Sequence, residues 1–119
     1  MSLRPVKLAS DRMFRLKLTI SHVEFHCRIA DNVTRATVEI ELVSRGVSLD
    51  YRSVEETVKT LARAHQWTAE ELAIAIAEHL AETINNNAKR PRDTLYTVKV
   101  RISFQETGDT HVVVEAEAP

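Results

Sequence analysis

Glycine is almost missing from this chain, with two residues among 119. A phosphate-cradling loop brings several backbone N–H groups onto one anion and needs clustered glycines, so a Gly-rich nucleotide loop is excluded. The one cysteine, Cys27, excludes an intrachain disulfide and points to a reducing compartment, with the cytoplasm as the expected location. No stretch approaches the roughly 20 apolar residues that a membrane-spanning helix requires, and no membrane partner is expected. Charge of one sign is also lacking: sixteen basic and seventeen acidic residues leave a net charge of -1. A nucleic-acid binder carries a basic stripe, so no nucleic-acid partner is expected. The densest basic stretch, Lys89-Arg90-Pro91-Arg92, is short and reads as a solvated loop.

What is present is a 44% apolar composition, normal for a globular protein. The length fits one domain. Residues 1–12 read as a flexible N-terminal leader and 13–119 as the domain. A small domain buries a modest share of its surface, so association with further copies would help it.

From Phe14 the sequence alternates, with Phe14, Leu16, Leu18 and Ile20 apolar and Arg15, Lys17 and Thr19 between them. Period two marks a half-buried strand. At Ser21-His22 the phase flips and Val23, Phe25, Cys27 and Ile29 become the apolar set, which implies a bulge or bend. Asp31-Asn32 supplies a turn. A second strand follows with Ala36, Val38, Ile40 and Leu42 on one face and Thr37, Glu39 and Glu41 on the other, ending at Gly46.

Two helices come next. Ser53 with Glu56, and Thr68 with Glu71, have capping-box spacing. Val54, Val58 and Leu61 recur on the first helix. Leu72, Ile76, His79, Leu80 and Thr83 form a stripe on the second, broadened by Ala73 and Ala77. Asn85-Asn86-Asn87 reads as a left-handed stop. Then Tyr96, Val98, Val100, Ile102 and Phe104 alternate with Thr97, Lys99, Arg101 and Ser103. A turn at Thr107-Gly108-Asp109 leads into a strand from His111 to Glu117. The order ββααββ predicts an α+β fold, a four-stranded antiparallel sheet with both helices on one face. Lys17, Glu39, Glu41, Lys99 and Arg101 fall on the other face, wetting it or lining a channel.

His22, Glu24 and His26 share a strand face, which raises a metal reading. Strand rise separates His22 from His26 by about 13 Å, too far to share one ion; His22 with Glu24 could do so only if a third ligand, such as His111, came from a neighbouring strand or subunit. Surface histidines are the better reading, with no metal site and no cofactor. Cys27 lies in the apolar phase and reads as a buried thiol.

Beyond these local readings, the chain resembles the dihydroneopterin aldolases, which have the tunnelling fold. Leu49-Asp50-Tyr51 followed by Val54-Glu55-Glu56-Thr57-Val58 is similar to the D-Y-x-x-[V/I]-x-E-x-V opening of their first helix. Thr68-Ala69-Glu70-Glu71-Leu72-Ala73 is similar to the start of their second helix, and Val98-Lys99-Val100-Arg101-Ile102 to their K-V-R-I strand. The resemblance runs from about Ile20 to Glu117.

It implies a homo-oligomer, a tetramer or octamer, built from rings whose sheets close into a barrel. It also implies a pterin-like small molecule at a subunit interface. The tyrosine of that family's site matches Tyr51, and the glutamate that anchors the aminopyrimidine edge matches Glu71. The family's catalytic lysine has no counterpart: after Val100-Arg101-Ile102 come Ser103 and Phe104. Phe104 completes an apolar alternation and is also an aromatic that can stack on a heterocycle. Glu71 is equally a helix cap, worth about 1 kcal/mol with Thr68. Tyr51 is equally a sheet-rim aromatic. The expected ligand-binding residues are therefore Glu71, Tyr51 and Phe104, with no catalytic residue assigned. The implied function is pterin binding in folate or pterin metabolism, with aldolase cleavage if a replacement acid/base exists. The alternative is a non-catalytic oligomeric paralogue that binds a pterin- or purine-like ligand or serves as a scaffold.

Overall fold

The computed structural model describes residues 3–106 and 108–118. In chain order the elements are β1 (Pro5–Lys7), β2 (Met13–Cys27), β3 (Asn32–Arg45), β4 (Val47–Leu49), α1 (Tyr51–Ala64), β5 (Gln66–Trp67), α2 (Ala69–Asn87), β6 (Thr94–Gln105) and β7 (His111–Ala118). The fold is α+β. The main sheet has five strands in the order β5-β2-β3-β6-β7, and β1 pairs with β4 in a second, two-stranded sheet.

The expected antiparallel four are β2, β3, β6 and β7. The sheet is mixed, however, because β5 adds in parallel to the end of β2, His26 opposite Gln66 and Cys27 opposite Trp67. A two-residue strand carries no readable periodicity, so the linker between the helices concealed it. The leader expectation is corrected as well. Pro5–Lys7 pairs with Val47–Leu49, and Leu3 is buried. Met1, Ser2, Thr107 and Pro119 lie outside the described residues.

Period-two alternation makes one face of the sheet apolar. Leu18, Ile40, Val100 and Ala116 stand opposite one another across four strands, as do Ile20, Val38, Ile102 and Val114. The helices cover this face. From α1 come Val54, Val58 and Ala62, and from α2 come Leu72, Ile76, Leu80 and Ile84, all buried. His79 is exposed instead of sharing the stripe, and Ile84 completes it one turn beyond Leu80.

The phase flip in β2 is a bulge between Ile20 and Val23, with His22 at φ 58°. A second irregularity, between Val43 and Ser44, leaves Tyr96 unpaired and 45% exposed, outside the apolar set. Ile29 also leaves its predicted set, because β2 ends at Cys27 and Ile29 sits exposed in the turn to Asn32.

Three local expectations change for chemical reasons. The cap of α1 is Asp50, whose carboxylate accepts from the Ser53 N–H at 3.0 Å; a carboxylate three residues earlier displaces Ser53 from that role. The end of α2 is not left-handed: Ala88 has φ -84°, and Asn87 instead donates its side-chain amide to the Thr83 carbonyl. The basic stretch at 89–92 is not a solvated loop. Arg90 donates to the carbonyls of Leu8 and Gly46 and to Asp93, whose side chain is fully enclosed. Burial opposes ionisation of Asp93, but the Arg90 guanidinium and N–H, with Lys7, outweigh it and hold its carboxyl below the usual range. Among the described residues no helix is long and apolar enough to cross a membrane.

Candidate functional site

The end of β2, the start of α2 and the end of β6 meet around a cleft of about 270 Å³, lined by Phe25, Cys27, Thr68, Ala69, Glu70 and Phe104 among others. Each element arrives there for a local reason. The Arg28 N–H donates to the Trp67 carbonyl, and the Trp67 indole N–H donates to the Leu61 carbonyl at 3.0 Å. These bonds fasten the interhelical linker to the tip of β2. The chain then turns into α2 at Thr68, where the predicted capping box forms. Thr68 Oγ1 accepts from the Glu71 N–H at 3.1 Å, and Glu71 Oε1 accepts from the Thr68 N–H at 2.9 Å. The positive end of a 19-residue helix is thereby turned toward the cleft rim.

Phe104 forms an aromatic wall. Its ring meets that of Phe25 edge-on, with centroids 5.9 Å apart and planes at 78°. Both rings lie on the helix side of the sheet at its open end.

Glu71 is held on two sides. Besides the cap, Arg28 Nε donates to Oε1 and Arg28 Nη2 to Oε2, both at 2.9 Å. The Arg28 fork first, and then the Thr68 N–H, hold the Glu71 carboxyl down to about 2, with partial desolvation opposing them. Glu70, its neighbour, lines the cleft and is exposed. Arg28 is the site residue that sequence reasoning missed. It stood in a turn with no periodicity, and its partner is 43 residues away.

Tyr51 lies elsewhere. It opens α1, is 62% exposed, and borders a shallow groove with Arg4, Asp50, Arg52 and Glu55. Asp50 there has its carboxyl lowered by the Ser53 N–H first and by Arg4 as well. α1 has 14 residues and spans about 21 Å, which separates Tyr51 at its start from the linker that leads into α2. Within one copy the structure brings Phe104 to the α2 cleft and leaves Tyr51 remote from it. Lys99 turns to the opposite sheet face, where its Nζ is 3.5 Å from Glu117.

The histidines are dispersed. His26 Nε2 is 2.8 Å from Asp31, while His22 and His111 border a different groove with Arg35. Among the described residues no three His, Cys, Asp or Glu side chains converge as metal ligands.

No family model matches the sequence, and no curated protein matches it. Among solved structures, the chain is similar to the crystal structure of the archaeosine synthase QueF-Like in its apo form. The two share 26% identity and superpose with a TM-score of 0.68 over 89% of this chain and 92% of that one. This chain has the tunnelling fold. The likeness bears out the fold that the sequence resemblance implied and does not single out the dihydroneopterin aldolases within it. The cleft at the start of α2 brings together an aromatic wall, a helix N-terminus and the Glu70 carboxylate, with the capped Glu71 next in the helix.

Proposed function

We propose that this chain is an oligomeric protein that binds a flat, amino-substituted heterocycle, pterin-like or purine-like, in the cleft at the start of α2. The observation that carries the reading is the joint placement of Phe104 and Glu70 on one cleft beside the fixed Glu71. A heterocycle with an amidine-like N–H edge needs a carboxylate at that edge and an aromatic surface near its ring. Glu71 was the expected anchor, but it already accepts from Arg28 and from Thr68. In this proposal Glu70 takes the N–H edge, and Glu71 holds Arg28 at the cleft rim. Tyr51 contributes from a second copy, which makes the complete site one shared between subunits. The solved neighbour is by name an archaeosine synthase, and this supports a small-molecule site on the same scaffold.

Binding without aldolase cleavage is the version favoured here. Phe104 occupies the position where the resembled family has its lysine, and a phenyl ring transfers no proton. Lys99 is no substitute, since it faces away from the cleft. Calorimetric titration with neopterin and 6-hydroxymethylpterin tests the reading. Saturable binding by the wild type that Glu70→Gln abolishes supports it, and an assay with dihydroneopterin would then decide on turnover. Loss with Glu71→Gln but not with Glu70→Gln would return the anchor to Glu71. No binding of any pterin or purine base would leave the cleft as a helix-capping feature and favour a scaffold role.

A further inference from the structure

The sheet face turned away from the helices changes character along its length. In the row that starts at Lys17, cations and carboxylates alternate: Lys17 faces Glu41, Glu41 faces Lys99, and Lys99 faces Glu117. Toward the end where β2 bulges, the same face opens into a groove of about 390 Å³ with no carboxylate in its lining. Three strands bring basic side chains to it: His22 from β2, Arg35 from β3 and His111 from β7. Ser21, Thr37 and Ser103 add three hydroxyls, none of them bonded to another described residue.

The basic groups of this groove are uncommitted. His26 is paired with Asp31 at 2.8 Å, whereas His22 and His111 have no carboxylate partner among the described residues. Arg35 gives one Nη2 bond to Glu24, long at 3.3 Å, and its other N–H groups bond no described residue. The backbone at His22 is itself unusual. The bulge sets Ser21 and His22 together against Thr37 alone, and His22 is held at φ 58°. An L residue in the left-handed region is strained, and folds retain such strain where it aims a group at a ligand.

Width decides which anion fits. The groove crosses β2, β3, β6 and β7, and a strand spacing of about 4.8 Å sets the backbones of His22 and His111 about 14 Å apart. Side chains stand out from a sheet rather than along it, so the two rings stay too far apart to grip one phosphate. Two linked phosphates span the gap, with the Arg35 fork between the rings suited to their oxygens. We propose that this groove binds a diphosphate group, Arg35 at its middle and His22 and His111 at its two ends. Each imidazole donates an N–H to a phosphate oxygen, and the hydroxyls donate to the rest. No glycine loop is required, because side chains supply the donors. The row through Lys17 does not compete, since each cation there already faces a carboxylate. Free pyrophosphate and the diphosphate of a nucleotide share this chemistry. The inference does not rest on the heterocycle cleft, which lies on the helix side of the sheet.

Calorimetric titration of the full chain with pyrophosphate tests it. One saturable site per chain is expected, with inorganic phosphate at least tenfold weaker. Arg35→Gln should weaken pyrophosphate binding at least tenfold, and His111→Gln and His22→Asn each several-fold. Asparagine tolerates the left-handed backbone at position 22, so that variant tests the ring and not the bulge. Arg12→Gln, which deletes an exposed cation outside the groove, should change nothing. Should a variant unfold by circular dichroism, proton NMR of the wild type carries the test. Pyrophosphate should then move the ring signals of His22 and His111 and leave those of His65 and His79 in place. Adenosine diphosphate binding as tightly as pyrophosphate, with the same losses in the variants, supports a nucleotide as the source. A response confined to pyrophosphate supports the free anion. The diphosphate groove is overturned, and the heterocycle reading left standing, by any of three results: no saturable binding of either compound, phosphate binding as tightly as pyrophosphate, or a loss in Arg12→Gln equal to that in Arg35→Gln.

Discussion

Arg28 and Glu71 lock together through two parallel hydrogen bonds of 2.9 Å, joining the tip of the first hairpin to the first turn of α2. This fork fixes the cleft rim, and it sets the protonation of Glu71. The carboxyl lies at about 2, below its ordinary 4.5, chiefly because Arg28 donates to it. A lowered carboxyl contributes stability that is complete above the unfolded value and is lost as pH falls from about 4.5 toward about 2. Arg28→Ala should move the Glu71 titration up toward 4.5, as read by carboxyl NMR, and remove part of that acid-limb stability. A wild-type Glu71 that already titrates near 4.5 would show that the fork does not persist in solution.

Thr68→Ala should cost about 1 kcal/mol in denaturant unfolding, within the usual range for losing an N-cap hydroxyl. Thr68→Ser, which keeps the acceptor, should recover most of it. Equal loss in both variants would mean that the threonine methyl, not the cap, provides the stability.

Gly46 and Gly108 make a controlled pair, at φ 85° and 86°. A Cβ at Gly46 would lie 2.1 Å from Asp93 Oδ1, whereas one at Gly108 would meet nothing within 4 Å. Gly108→Ala should therefore cost only the left-handed backbone penalty, about 1–2 kcal/mol. Gly46→Ala should cost clearly more, because Asp93 is fixed by Arg90 and cannot retreat. Equal losses would show that the enclosed carboxylate is free to shift.

If the ligand site is shared between copies, two variants that cannot bind should complement each other. Tyr51→Ala and Glu70→Gln would each lose pterin binding alone. Randomly mixed subunits should regain about a quarter of the sites, since each site then draws one intact residue from each of two copies. Calorimetric stoichiometry on the dissociated and reassociated mixture checks this. No recovery from a well-mixed oligomer would place Tyr51 outside the site.

The sequence by itself determined those parts of the protein where a short-range signal suffices. Alternation of Leu16, Leu18 and Ile20 against Arg15, Lys17 and Thr19 dictated a strand with one apolar face, and the flip at Ser21-His22 dictated its bulge. Thr68 and Glu71, three positions apart, dictated the start of α2. These features arise from neighbours within a turn or a pleat, so spacing reports them directly. The tertiary structure alone decided what depends on residues distant along the chain. It turned Arg90 from a solvated cation into a clamp on Leu8 and Gly46, and it set Arg28 against Glu71. It also added β5 to the sheet, because a two-residue strand pairing with a segment some forty residues away leaves no local pattern.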